Sequence, residues 1–304
     1  MADAGHVPSR AASRLSEELL RVALDVAAAA GRLLRAGRAA ADAAPAGTLR
    51  ATALTKTSTT DLVTAVDRAS ERLVAEMLAR ERPRDAVLGE EGIASRDGSS
   101  GVRWVVDPLD GTTNFVYGFP AYAVSLAAEL DGTTLVGVVH DASRGETYAA
   151  LAGRGATLDG RPLRVGSAPP LSEALVGTGF SYSPAERERQ ARLLRVLLPA
   201  VRDLRRAGAA ALDLCAVAAG RLDAFYESGL KPWDVAAGSL VASEAGAVLL
   251  RLDDILPGRP VLLAATPALA GPLADLLREA AADGSAPPDA PRAAGRQGTD
   301  VSRS

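Results

Sequence analysis

Apolar and polar residues along this chain follow two rhythms, and each predicts a kind of element. Between Leu20 and Leu34 the spacing is helical. Leu20, Leu24, Ala27, Gly31 and Leu34 share one face, with Ser16 as a cap and Glu17 and Glu18 in the first turn, where acids suit the helix dipole. A second helix is expected from near Asp61 through Leu62, Val66, Ala69, Leu73 and Met77, ending before Pro83. Both read as surface helices packed on one side. In the middle of the chain the pattern becomes that of strands. Tyr122 to Leu130, Thr134 to His140 and Glu146 to Leu151 form a predicted meander, joined at Asp131-Gly132 and around Arg144-Gly145.

Beyond about Pro170, helix and strand signals alternate. The chain offers a strand at Leu175 to Thr178, a helix opened by Ser183-Pro184 and a helix near Ala209 to Ala219. A strand at Leu222 to Tyr226, a helix from about Asp234 to Ala245 ended by Gly246, and a strand at Val248 to Leu250 follow. Such alternation predicts sheet layered between helices. The expected organisation is an α+β half over residues 15–165 and an α/β half over residues 166–282, with disordered tails at 1–14 and 283–304.

Composition narrows the chemistry. The 304 residues are 48% hydrophobic, enough for a sizeable core, and 34 Lys and Arg stand against 37 Asp and Glu. That balance gives no excess of positive charge for nucleic acid. One cysteine, Cys215, excludes an internal disulfide framework and Cys-rich zinc or iron–sulfur sites. Of the two histidines, His6 falls in the N-terminal tail and His140 has no motif around it, so His140 and Cys215 read as structural residues. No apolar run is long enough to span a bilayer and the N-terminus lacks a secretory signal, so a cytoplasmic location is expected. Carboxylates, hydroxyls and hard cations remain.

The densest chemistry is Trp104-Val105-Val106-Asp107-Pro108-Leu109-Asp110-Gly111-Thr112-Thr113-Asn114-Phe115. An apolar strand runs into Asp107, Pro108 ends the ladder, Asp110 follows, and Gly111 and the threonines open a helix-like turn. This predicts two carboxylates at a strand exit beside the amides of Gly111 and Thr112, a cation site next to an anion site. A capped turn with Asp110 as N-cap fits the same residues. Glu90 and Glu91 follow the short strand Ala86 to Leu88, as ligands or as a charged loop. Asp67 lies on the second helix and alone reads as a solvated acid, while Asp234, after Trp233, stands at a helix start as ligand or cap.

In this order the segments resemble the inositol monophosphatase family of magnesium-dependent, lithium-sensitive phosphomonoesterases, from about Leu15 to Glu279, most specifically through WVVDPLDGTTNF and WDVAAG. The resemblance implies a mixed α and β fold, a five-layer αβαβα sandwich, usually as a homodimer. It implies metal ligation by Glu90, Asp107, the Leu109 carbonyl, Asp110 and Asp234, with Asp67 of DLVTAVD near a third ion and Lys56 matching an upstream lysine. Two or three Mg²⁺ ions are expected, Mn²⁺ being a possible substitute. Glu90, Thr112 and Asp67 would be catalytic, Thr112 orienting the attacking water with support from Asp67. Asp110, Gly111, Thr112, Ala210, Glu227 and Asp234 would bind substrate, with Glu227 and the loop from Gly208 to Asp213 facing inositol hydroxyls. Ala209 departs from the threonine or serine common at its position. The substrate implied is inositol monophosphate. Histidinol phosphate, fructose 1,6-bisphosphate and nucleotide 3′-phosphates are the alternatives among relatives, and a regulatory binding protein on the same fold is the alternative of another class. Neither direct nucleic acid binding nor a membrane partner is expected.

Overall fold

Two mixed sheets organise the chain. The computed structural model describes residues 10–45, 47–55, 62–90, 92, 95–167 and 169–283. The chain opens with α1 (Arg10–Ala43), α2 (Thr48–Thr52), β1 (Leu54–Thr55), β2 (Leu62–Val63) and α3 (Ala65–Glu81). Then come β3 (Ala86–Gly89), β4 (Val102–Asp110), α4 (Thr112–Tyr117), β5 (Ala123–Leu130), β6 (Thr133–Asp141), β7 (Glu146–Leu151), β8 (Ala156–Leu158) and β9 (Arg161–Pro162). The second half holds β10 (Leu175–Thr178), α5 (Pro184–Ala200), β11 (Asp203–Arg205), α6 (Ala210–Ala218) and β12 (Ala224–Ser228). It ends with α7 (Pro232–Glu244), β13 (Val248–Leu252), β14 (Val261–Ala265) and α8 (Pro267–Asp283).

The seven-stranded sheet runs β3 to β9 in order, and the five-stranded sheet has the order β11-β10-β12-β14-β13. α1 and α3 cover one face of the larger sheet, packing Leu19, Val26, Leu34 and Val74 on Trp104, Val106, Val124 and Leu126. α6 and α7 fill the space between the sheets. Cys215, Ala237 and Val241 meet Val105, Ala127 and Val139 of the larger sheet, while Leu214 and Ala242 meet Phe225 and Ala264 of the smaller. α5 and α8 close the far side through Leu193, Leu197, Leu273 and Leu277. This is the expected five-layer αβαβα sandwich. Because both faces of β4 are buried, Trp104-Val105-Val106 is a continuous apolar run rather than an alternating one.

Small residues let the middle layer fit. A β-carbon at Gly137 of β6 would stand 2.6 Å from the carbonyl oxygen of Ala237 on α7, so backbone lies on backbone there. Asp131 and Gly132 both take positive φ, 49° and 81°, and form the tight hairpin predicted between β5 and β6.

Several expectations are corrected. α1 spans Arg10–Ala43, so Ser16, Glu17 and Glu18 lie inside the helix and residues 10–14 are not a tail. Its buried stripe is Leu19, Val22, Ala23, Val26, Ala27, Ala30 and Leu34, with Leu20 and Leu24 at its margin. α3 starts at Ala65, not near Asp61, since Thr64 caps it, accepting from the amides of Val66 (3.1 Å) and Asp67 (3.3 Å). Its fully buried face is Asp67, Ser70, Glu71, Val74 and Leu78, with Val66 and Met77 of the expected face partly buried against the same core. β14 and α8 were not anticipated, and α8 takes in Asp283, the first residue assigned to the C-terminal tail. Lys56, Asp61 and Glu91 lie outside the described residues. His140 is structural, as expected: its ring occupies the notch left by Gly31, with Arg35 3.2 Å from Nε2 and Thr147 Oγ1 2.9 Å from Nδ1. No described helix is long and apolar enough to cross a membrane.

Candidate active site

β3 and β4 are parallel neighbours, so their C-terminal ends deliver acids to one edge of the sheet. Glu90 follows β3 directly and its amide donates to the Val106 carbonyl (3.2 Å), which sets it level with the end of β4. A regular strand would send Asp107 and Asp110 to opposite faces. Instead the ladder to β5 slips: Asp107 pairs with Ser125 and Asp110 with Ala123, so the stretch carries one residue more than its partner strand. That extra residue, at a proline with no amide to donate, brings both carboxylates to the same side. Asp107 Oδ1 holds the bend by accepting from the Leu109 amide (2.9 Å), and Ser70 Oγ of α3 donates to the Pro108 carbonyl (2.9 Å).

The next turn carries the hydroxyl. Gly111 caps α4 with φ 87°, and a β-carbon there would lie 2.7 Å from the Ala121 carbonyl, so the turn requires glycine. Thr112 Oγ1 stands 2.9 Å from Asp67 Oδ1 and 3.1 Å from the Leu109 carbonyl. Asp67 is buried at the third position of α3, where its other oxygen accepts from the Thr64 amide (2.9 Å) and from the Thr64 hydroxyl. It is thus held by its own capping box and is not the solvated acid that its position alone suggested. Asn114, unassigned in the sequence although it lies within the motif, donates its amide to the carbonyls of Ala121 (2.7 Å) and Ala207 (2.8 Å) and ties the turn to the second half.

That half supplies the remaining groups. Ala209, the N-cap of α6, offers no side-chain acceptor; Asp110 Oδ2 takes the Ala211 amide (2.8 Å) in its place. Asp234 is the third residue of α7, not its cap, and Oδ2 accepts from the Lys231 amide (2.6 Å). Ser125 Oγ donates to the Trp233 carbonyl (3.2 Å) and fixes this helix start on β5. One cavity of about 680 Å³ is lined by Glu90, Asp107, Leu109, Asp110, Gly111, Thr112, Ala210, Glu227 and Asp234. Asp67 stands behind Thr112. Sequence reasoning missed the wall formed by Gly179 to Pro184 and the cations Arg206 and Arg259, none of which carries a motif.

Like charges crowd the acids of this cavity, with Arg206 opposing them at Asp213 and Glu227. Burial, then the charges of Glu90, Asp110 and Asp234, push the Asp107 carboxyl well above the usual carboxylate range. Burial and Asp234 do the same to Asp110, with the Ala211 amide opposing. Asp213 on α6 is also buried and raised, chiefly by burial and then by Asp110, and its Oδ2 has no hydrogen-bond partner. Glu227 is pushed up to about 8 by burial and by the charges of Asp213 and Asp234. Among the described residues no three of these acids already stand close enough to hold an ion jointly. Their donor chemistry nonetheless fits a hard divalent cation: carboxylate and carbonyl oxygens alone, in a buried group whose mutual repulsion such an ion relieves.

A model of the inositol monophosphatase family matches residues 15–283. The inositol-1-monophosphatase SuhB of Mycobacterium tuberculosis is 52% identical over 227 residues, covering 72% of this chain and 78% of that protein. The solved structure of Mycobacterium tuberculosis SuhB superposes with a TM-score of 0.71 at 44% identity, over 86% of this chain and 96% of the other. Inositol monophosphate bound SaIMPase-II superposes with a TM-score of 0.67 at 25% identity, over 87% and 96% of the two chains. The Nus factor SuhB of Pseudomonas aeruginosa is 45% identical over 194 residues, 62% of this chain and 72% of that protein.

Proposed function

The chain belongs to the inositol monophosphatase family, and on that premise we propose that it hydrolyses inositol monophosphate to inositol and phosphate with Mg²⁺ as its metal. It is a phosphoric monoester hydrolase. The observation that carries the proposal is the meeting of Glu90, Asp107, Asp110 and Asp234, from both halves of the molecule, in one cavity with Thr112, which Asp67 holds from behind.

In this reading Glu90, Asp107, Asp110, Asp234 and the Leu109 carbonyl hold two or three Mg²⁺ ions, with Asp67 near the third. When bound, such ions neutralise the phosphate oxygens, make water a better nucleophile and stabilise the leaving oxygen. Asp67 accepts a hydrogen bond from the Thr112 hydroxyl, which leaves the Thr112 oxygen lone pairs to receive a hydrogen from water and orient it towards phosphorus. The amides of Gly111 and Thr112 bind phosphate oxygens. Water oxygen bonds to phosphorus as the ester P–O bond breaks; the attacking water gives up one proton and the leaving alkoxide takes one up from solvent water to become the inositol hydroxyl, so the protons balance. Glu227, with Ala210 beside it, reads the polyol. Lithium sensitivity, a homodimer and a cytoplasmic location complete the proposal, all supported by family membership alone.

A second reading, a regulatory binding protein on the same fold, is favoured by the similarity to the Nus factor of Pseudomonas aeruginosa. The raised carboxyls of Asp107 and Asp110, buried in the same cavity as Thr112, favour catalysis. Phosphate release from inositol 1-phosphate, histidinol phosphate, fructose 1,6-bisphosphate and 3′-phosphoadenosine 5′-phosphate, with Mg²⁺ and with chelator, tests both. Inositol 1-phosphate is expected to turn over fastest and only with Mg²⁺. Absence of Mg²⁺-dependent turnover on the whole panel would leave the regulatory reading.

A further inference from the structure

The Glu227 carboxyl does not stand free in the cavity wall. It lies against the backbone of Gly179, on the segment that leaves β10, the strand next to β12. A β-carbon built at Gly179 would be 1.9 Å from Oε2, 2.1 Å from Cδ and 2.2 Å from Oε1 of Glu227. No side chain fits at position 179 while that carboxyl keeps its place. We infer that Gly179 determines substrate specificity, as a positioning residue: the space left by its absent side chain aims the Glu227 carboxyl at the polyol. The inference rests on the reading that Glu227 hydrogen-bonds substrate hydroxyls.

The backbone on either side is poorly able to yield. Thr178 pairs with Tyr226 in the parallel ladder, one residue before Gly179 and Glu227 respectively. Past the ladder, buried Gln190 of α5 accepts from the Ser181 amide (3.0 Å) and donates to Ser228 Oγ (3.2 Å), clipping the two segments together. Gly179 itself is not in the left-handed region, so alanine meets no backbone strain there. What can move is the far end of the Glu227 side chain, which has rotatable bonds and the cavity beside it. Substitution at Gly179 therefore spares the fold and displaces the carboxyl. The displaced group stays in a space bordered by the like charges of Asp213 and Asp234, with Arg206 as the opposing cation. A displacement of about 1 Å is enough to spoil a directed hydrogen bond to a hydroxyl.

The test compares inositol 1-phosphate with p-nitrophenyl phosphate, which has no hydroxyls to read, under the same Mg²⁺. For Gly179→Ala the ratio of the two kcat/KM values should fall about tenfold, mainly through the KM of inositol 1-phosphate. The thermal midpoint should stay near that of the wild type. Glu227→Gln separates the two ideas. If it leaves the ratio unchanged, the reading of Glu227 fails; if it lowers the ratio while Gly179→Ala does not, the role of Gly179 fails alone. In the double variant the effects should not add, because Gly179 acts through Glu227; full additivity overturns the inference. Should Gly179→Ala fail to fold, Gly179→Ala/Glu227→Ala removes the clashing carboxyl and should fold. Failure of both would place the clash elsewhere and overturn the inference.

Discussion

β3 and β4 run between two groups of buried acid that are paired in opposite ways. At their start, Asp85 accepts hydrogen bonds from Arg82 Nε (2.7 Å), Ser100 Oγ (2.7 Å) and Trp104 Nε1 (2.9 Å). Burial raises its carboxyl, but these bonds and the Arg82 charge together outweigh burial and hold it below the usual carboxylate range. At their end, Asp107 and Asp110 are as deeply buried, yet among the described residues no arginine or lysine pairs with either, and both are raised. A buried acid with its cation supplied is part of the architecture. A buried acid left without one is kept for something the chain does not itself contain.

The largest effect should come from breaking the end that carries the proposed ligands. Asp107→Asn and Asp234→Asn are each expected to lower turnover of inositol 1-phosphate about a thousandfold. In chelator, Asp107→Asn should melt no lower than the wild type, because a neutral amide replaces a carboxyl that resists ionisation. Near wild-type turnover in either variant would remove that acid from the proposed cluster. Asp85→Asn should do the reverse, costing about 3 kcal/mol of stability by chemical denaturation while turnover per folded molecule stays within about twofold. Asp85 has a folded pKa below its unfolded value, so its contribution is present above about pH 4 and is lost as pH falls further. Equal losses of activity in the two classes would abolish the contrast.

A smaller effect tests the link between the acids and the hydroxyl. Thr112→Val removes the group bonded to Asp67 and should lower kcat about a hundredfold with KM little changed, while Thr112→Ser should recover most of the rate. Unequal recovery has a clear reading: if serine is as poor as valine, Thr112 acts through packing and not through its oxygen.

The two groups were not equally legible. The motif around Asp107 announced both acids, and Pro108 hinted at the break in the ladder, but the one-residue slip that puts Asp107 and Asp110 on one side depends on the register of β5. Asp67 and Thr112 are far apart in sequence, and only the family resemblance linked them before the structure showed the bond. Asp85 attracted no notice, since a single acid between an arginine and a strand has no signature. Elsewhere the helical stripe of α1 was misplaced because alanines and leucines make its apolar face broad. α8 was hidden by Gly271 and Pro272, which interrupt a helical pattern on paper although the helix carries them. Gly179 illustrates the general limit: its role lies in which carboxyl comes to rest against it.

The remaining effect, and the smallest, ties metal to charge. In chelator Asp107, Asp110 and Asp213 have folded pKa values above their unfolded values, and Glu227 titrates near 8. Each such group binds its proton more tightly when folded, so below the unfolded value near pH 4 it makes no difference to stability. As pH rises from there to the folded value it becomes a growing cost, which levels off above that value. Mg²⁺ reverses that cost only where the acids have lost their protons. Ion at about a hundred times its Kd stabilises by roughly 2.7 kcal/mol, or about 5 °C in a chain of this size, and this gain should be reached at pH 8 and shrink towards pH 5. Scanning calorimetry at the two pH values, with Mg²⁺ and with chelator, measures it directly. The gain should also shrink in Asp107→Asn and persist in Asp85→Asn, whose missing carboxylate already had its cation. A gain independent of pH would mean that the acids at the end of β4 are charged whether or not metal is present, and the difference between the two ends of the strand would then lie in geometry rather than in charge.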